Sequence, residues 1–209
     1  MKQPRVLLAD DHEGVMDSYR KLLASDCEVV ATVADGASAL EAAERLKPDV
    51  VVMDVSMPTV NGVEACRRLR NLLPGTPVIL LSSYAAAAFV VGAFQAGACG
   101  YVLKHRAAEE LAWAIRKAMA GEVYVTPALH QQLWDDDRGG PERLYGLTES
   151  QRELVAFIGR GFNTKKIAAA MGVAFKTVVE RRRAVMRRLE IMHTTDLARY
   201  AICCRLRIK

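Results

Sequence analysis

The chain has 209 residues, 51% of them hydrophobic and 25% charged, with a net charge of +5. That length accommodates one large domain or two modest ones, and the composition is that of an ordinary globular protein. No apolar run approaches the roughly 20 residues that cross a bilayer, and the N-terminal MKQPRVLLADDHE meets two aspartates too early for a secretory signal, which excludes a membrane protein and points to the cytoplasm.

In chain order, strand-like apolar runs fall at Val6–Ala9, Glu28–Val33, Asp49–Met53, Pro77–Leu81 and Ala98–Leu103. Between them lie helical patterns near 14–24, 36–46, 62–72, 85–96 and 107–120. Val15, Tyr19, Leu22 and Leu23 make the stripe of an amphipathic helix, and Ala39, Leu40, Ala43 and Leu46 repeat it. Strict alternation of strand and helix, with strands apolar throughout, predicts a five-stranded parallel sheet covered on both faces, a flavodoxin-like (βα)5 domain over residues 1–121. Residues 122–145 mix Pro, Gly and three successive aspartates and read as a linker, with one short helix around 127–134. From residue 146 to 209 no strand pattern occurs; four helices are expected near 149–160, 164–171, 175–190 and 195–206, the first opened by a capping box of Thr148 and Gln151. Cys27, Cys66, Cys99, Cys203 and Cys204 lack metal-ligand spacing and read as small core residues or thiols.

Charge divides along the same seam. Residues 1–121 carry 13 Lys and Arg against 14 Asp and Glu, whereas residues 146–209 carry 14 against 5. A basic second half points to a polyanionic partner.

Polar residues in the first half stand where apolar runs stop. Asp10 and Asp11 follow the first strand, Asp54 ends the third, Ser82 the fourth and Lys104 the fifth. In an open parallel sheet these carboxyl ends form the ligand crevice. Three carboxylates gathered there repel one another unless a cation joins them, and oxygen-only donors without His or Cys favour Mg²⁺. A hydroxyl and an ammonium complete a set suited to an incoming phosphoryl group. Taken singly, Asp54 reads as a helix cap, Lys104 as a solvated charge and Asp10-Asp11 as a turn; together, at four of the five strand ends, they argue for chemistry.

LADDH, DVSMPTVNG, LLSS and GYVLK, in this order, resemble the receiver domain of two-component response regulators. The resemblance implies that Asp54 is the phosphoacceptor, that Asp11 and the Ser56 carbonyl ligate Mg²⁺ with Asp54, and that Asp10 acts mainly through a metal-bound water. It further implies that Ser82 and Lys104 hold the phosphoryl oxygens, and that Tyr101 is an aromatic switch turning inward when Ser82 moves. His105 departs from the proline many receivers carry after the lysine.

In the second half, Phe175–Leu189 reads FKTVVERRRAVMRRL. Val178, Val185 and Leu189 form an apolar stripe, opposite Lys176, Val179, Glu180, Arg183 and Arg187. A short Ala-rich helix and a turn at Gly172 precede it, as in a helix-turn-helix. The stretch from Leu147 through Leu197 resembles the LuxR-type helix-turn-helix of NarL/FixJ response regulators, with Leu147-Thr148, Glu153, Gly161, Asn163, Ile167-Ala168, Gly172, Thr177-Val178 and Leu189 as matches. Val179 and Arg181 depart from the Lys and His common there. By position, Val179, Glu180 and Arg183 reach base edges. Lys165, Lys166, Lys176, Arg181, Arg182, Arg187 and Arg188 are phosphate candidates.

The expected function is a transcriptional regulator, not an enzyme. A sensor histidine kinase phosphorylates Asp54 with Mg²⁺ as cofactor, and the phosphorylated chain forms a homodimer on DNA. The alternatives are a phosphorylation-independent DNA-binding protein whose first half is a dimerisation module, and a phosphohydrolase using Asp54 as nucleophile. The latter needs a second acid just after the nucleophile, where Val55-Ser56 stand instead.

Overall fold

The computed structural model describes residues 3–129, 147–189, 191–192 and 194–205, which divide into two units, Met1–Thr126 and Pro127–Lys209. The first unit runs β1 (Arg5–Ala9), α1 (Glu13–Leu23), β2 (Glu28–Val33), α2 (Gly36–Leu46), β3 (Val50–Asp54), α3 (Gly62–Leu72), β4 (Val78–Ser82), α4 (Ala87–Ala96), β5 (Gly100–Leu103), a 3-10 turn at Lys104–Arg106, α5 (Ala107–Met119) and β6 (Tyr124–Val125). The sheet order is β2-β1-β3-β4-β5-β6, parallel throughout. The central strands are buried almost end to end, which explains their unbroken Val/Leu/Ile runs; β2, at the edge, is only half-buried. Each fully buried Val, Leu or Ile contributes about 1.5–3 kcal/mol of transfer free energy. Cys27, Cys66 and Cys99 lie in this core.

One expectation is corrected: the sheet has six strands, not five. Tyr124–Val125, placed in the linker by composition, pairs with Gly100 and Tyr101 of β5. Besides the backbone bonds from Tyr124 to Cys99 and from Thr126 to Tyr101, one side chain ties the addition down. The buried Thr126 hydroxyl donates to Glu110 Oε2 at 2.7 Å and accepts from the Leu103 N–H at 3.0 Å. Pro127–Leu129 are helical, and the rest of the helix expected around 127–134 lies outside the described residues.

The topology places the crevice. The chain leaves β1 for β2 on one side, then returns to β3 on the other, so the β1/β3 boundary is the switch point where strand order reverses. Ala9 pairs with Met53, so Asp10 and Asp54 emerge side by side from adjacent strands. Asp54 is in turn registered with Leu81, and Ser82 with Leu103, one residue before Lys104.

The second unit contains α6 (Glu149–Gly159), α7 (Thr164–Met171), α8 (Phe175–Arg188) and α9 (Thr194–Arg205). The expected capping box opens α6: Thr148 Oγ1 accepts from the Gln151 N–H and Gln151 Oε1 from the Thr148 N–H. Asn163 caps α7 by accepting from the Lys166 N–H at 2.9 Å. Gly172, with φ +64°, ends α7 in a left-handed turn that frees the chain to begin α8 three residues later. Leu154, Val155, Ile158, Ile167, Val178, Val185, Leu197, Ala201 and Ile202 form the buried interior. The side chains of Cys203 and Cys204 lie outside the described residues.

Candidate functional sites: an acidic pocket and a cationic helix

The first unit brings the predicted acidic set together. Asp10 and Asp54 are almost fully buried, and the Lys104 ammonium sits 2.8 Å from Asp10 Oδ2 and 2.8 Å from Asp54 Oδ2. The 3-10 turn that begins at Lys104 leads straight into α5, which fixes the local geometry at His105. Burial raises the Asp54 carboxyl above its usual range against the hydrogen bond and charge of Lys104, and the Asp10 charge adds to the rise. At Lys104 burial alone would lower the ammonium, but hydrogen bonds to Asp10 and Asp54 outweigh it and the net shift is upward. Burial therefore wins at Asp54, and pairing wins at the lysine shared between two carboxylates.

The loop after β3 is shaped by close approach. A Cβ at Gly62 would lie 2.0 Å from the Asp54 carbonyl oxygen, so only glycine fits there. The Asn61 side chain then caps α3 by accepting from the Glu64 N–H at 2.9 Å. Ser56 is exposed on this loop, and its backbone N–H donates to the Asp54 carboxylate.

Sequence reasoning passed over His12. Its Nδ1 lies 2.8 Å from Asp11 Oδ1 and 3.2 Å from Asp10 Oδ1, and its backbone N–H donates to Asp10 Oδ1 at 3.0 Å. The neighbouring Asp11 charge, then the hydrogen bonds and the Asp10 charge, raise the exposed imidazole above its ordinary value. The adjacent DDH letters were the signal, but a histidine there equally reads as the start of α1. The donor set fits a hard divalent cation: Asp10 and Asp54 share one ammonium, Asp10 Oδ2 is buried with no hydrogen bond beyond its ion pair, and the Asp10, Asp11 and His12 donor atoms all lie within 4.8 Å of one another.

Ser82 and Tyr101 are joined through one loop residue. The Ser82 hydroxyl accepts from the Tyr84 N–H at 3.0 Å, and the Tyr101 hydroxyl donates to the Tyr84 carbonyl at 2.8 Å. Tyr101 is fully buried, so its ring is already inward in this structure, and burial raises its phenol. The Tyr84 ring stacks on Phe89 with centroids 4.6 Å apart.

In the second unit, α8 buries Val178 and Val185 and presents the predicted polar face. Lys165, Lys166, Lys176, Glu180, Arg183 and Arg187 are exposed, whereas Val179, Arg181 and Arg182 are half-buried. Arg188 is also exposed. No helix among the described residues is long and apolar enough to cross a membrane.

A parallel α/β unit with an acid-lysine crevice, followed by a helix-turn-helix with a cationic exposed face, defines a receiver and DNA-binding pair. Residues 6–116 match the response regulator receiver domain, and residues 146–201 match the bacterial regulatory proteins of the luxR family. The transcriptional regulatory protein YhcZ of Bacillus subtilis is 34% identical over 95% of each chain. The response regulator protein VraR of Staphylococcus aureus is 33% identical over 94% of this chain and 95% of its own. A solved LuxR-family two-component response regulator from Aurantimonas is 33% identical, with a TM-score of 0.62 over 68% of this chain and 99% of its own. The chain belongs to the two-component response regulators that join a receiver domain to a LuxR-type DNA-binding domain, the NarL/FixJ group.

Proposed function

We propose that this regulator is switched by phosphorylation of Asp54 by a sensor histidine kinase, and that the switch controls dimerisation and DNA binding. The observation that carries the reading is the Lys104 ammonium held 2.8 Å from both Asp10 and Asp54 at the carboxyl ends of adjacent strands. An anionic phosphoryl group entering here meets an ammonium already in place and a rigid carboxylate nucleophile. Mg²⁺, held by Asp10, Asp11, Asp54 and the Ser56 carbonyl, would supply neutralising charge for the phosphoryl oxygens.

The chain's own residues do the rest. The Asp54 carboxylate attacks phosphorus in line as the P–N bond to the kinase's phosphorylated histidine breaks and the imidazole leaves with that electron pair, and Lys104 turns from the carboxylates to the transferred oxygens. The Ser82 hydroxyl, which now accepts from the Tyr84 N–H, reorients to donate to a phosphoryl oxygen. That move frees the Tyr84 backbone and breaks the register of its hydrogen bond from Tyr101. The loop before α4 is thereby remodelled, which is the kind of local ordering change that switches use. In the second unit, Val179, Glu180 and Arg183 read bases while Lys165, Lys166, Lys176, Arg181, Arg182 and Arg187 position the phosphates. The domains run over 1–121 and 146–209 in this reading, with β6 carrying the sheet into the linker.

Gel filtration and DNA retention, each before and after treatment with a small acyl phosphate and Mg²⁺, test the switch. A larger dimer fraction with tighter DNA retention supports it. An unchanged dimer fraction and unchanged affinity leave a DNA-binding protein whose first unit acts without phosphorylation.

A further inference from the structure

We propose that Phe175 is a specificity-determining residue of the DNA-binding unit, packing its ring on the 5-methyl group of a thymine in the major groove. The proposal rests on the DNA-binding reading above and deepens it. Phe175 is the first residue of α8 and stays 53% exposed, while the unit's interior is built from other side chains that are at most 8% exposed. Its place on the helix matters more than its exposure, because singly exposed apolar residues are common. Phe175, Val179 and Arg183 are spaced four residues apart, so they share one ridge, which starts beside the buried Val178 and winds through half-buried Val179 onto the exposed face at Arg183. Lys176 and Glu180 flank that ridge and are exposed.

The ridge is therefore apolar at its N-terminal end and cationic toward its C-terminal end. A recognition helix presents its N-terminal residues to base edges. The thymine methyl is the apolar feature of the major-groove code, and a flat aromatic ring covers it at little cost in side-chain entropy. Lys176, Arg183 and Arg187 supply the charge complementarity that seats this ridge on a polyanion.

The test uses the full-length chain and a random 24-base-pair duplex pool, enriched by retention and then resynthesised with uracil replacing thymine one position at a time. Uracil removes only the methyl group, so loss of one buried contact weakens binding by about fourfold. The expected result is a fourfold loss at one position for the parent chain, no further loss for Phe175→Ala, and a partial loss for Phe175→Leu. A parent chain indifferent to uracil at every position overturns the proposal, as does a Phe175→Ala variant that keeps the full methyl sensitivity. Phe175→Ala that instead changes how phosphorylation alters retention of unselected duplex overturns it too, and marks the ring as a protein contact. If the parent chain retains no duplex better than Lys176→Ala/Arg183→Ala, the DNA-binding reading fails with it.

Discussion

Replacing Lys104 by methionine keeps an unbranched chain one atom shorter and removes its charge. At 2.8 Å from each of two carboxylates, the ammonium interacts with each by about 6 kcal/mol at an effective dielectric near 20, before desolvation is counted. The net figure is smaller, since burying the ions offsets most of the attraction. Removing one partner of a buried pair costs about 3–5 kcal/mol, because the charge left behind is uncompensated. Lys104 keeps 21% of its side chain exposed while the carboxylates keep 1% and 4%, so the lower end, about 3 kcal/mol, applies. The deficit depends on pH with a definite sign. Asp54 is already raised by burial, and without Lys104 it rises further, so folding favours its protonated form. The variant therefore recovers stability as pH falls through the raised Asp54 value, while the Lys104 contribution in the parent, itself raised, is constant below the lysine range and lost only above it. Amide exchange of β1 and β3 in urea, at pH 5 and at pH 8, reads the first unit alone. A loss below about 0.5 kcal/mol, or one equal at both pH values, refutes the reasoning.

Three further outcomes are expected. Gly62→Ala destabilises the first unit by about 3 kcal/mol in urea unfolding, since its Cβ meets the Asp54 carbonyl at 2.0 Å, whereas Gly92→Ala in α4, with open space around it, stabilises by about 0.5–1 kcal/mol. Thr126→Val removes the acceptor for the Leu103 N–H and the donor to Glu110, costs about 1–3 kcal/mol, and speeds exchange of the Leu103 amide. If about five phosphates are neutralised per protomer, a plot of log affinity against log salt falls with slope near −0.9 per contact, and Arg187→Ala makes it shallower by about one contact.

Sequence and structure agree most closely where the pattern is dense. Unbroken apolar runs locate β1 to β5 within one or two residues, and the polar residues that end them mark the crevice. Thr148 with Gln151, Asn163 and Gly172 likewise carry their own signals, because caps and left-handed turns depend on local chemistry. What escaped depends on partners distant in the chain. Tyr124–Val125 is too short for periodicity, and its strand rests on distant partners: backbone bonds to Cys99 and Tyr101, and the Thr126 side chain between Glu110 and the Leu103 amide. His12 is the exception: its partners Asp10 and Asp11 are its neighbours in the chain, but the letters alone equally fit the start of α1. Of the ten candidate residues on α7 and α8, Val179, Arg181 and Arg182 are half-buried, and periodicity carries part of this: Arg181 and Arg182 stand three and four residues after the buried Val178, beside the apolar stripe.

The central claim is that Asp54 is the phosphoacceptor. Intact mass after incubation with a small acyl phosphate and Mg²⁺, for the parent chain and for Asp54→Asn, tests it most directly. One added phosphoryl group on the parent and none on the variant is the predicted result. An adduct that persists in Asp54→Asn, or a parent chain that stays unmodified where a control receiver is labelled, contradicts it.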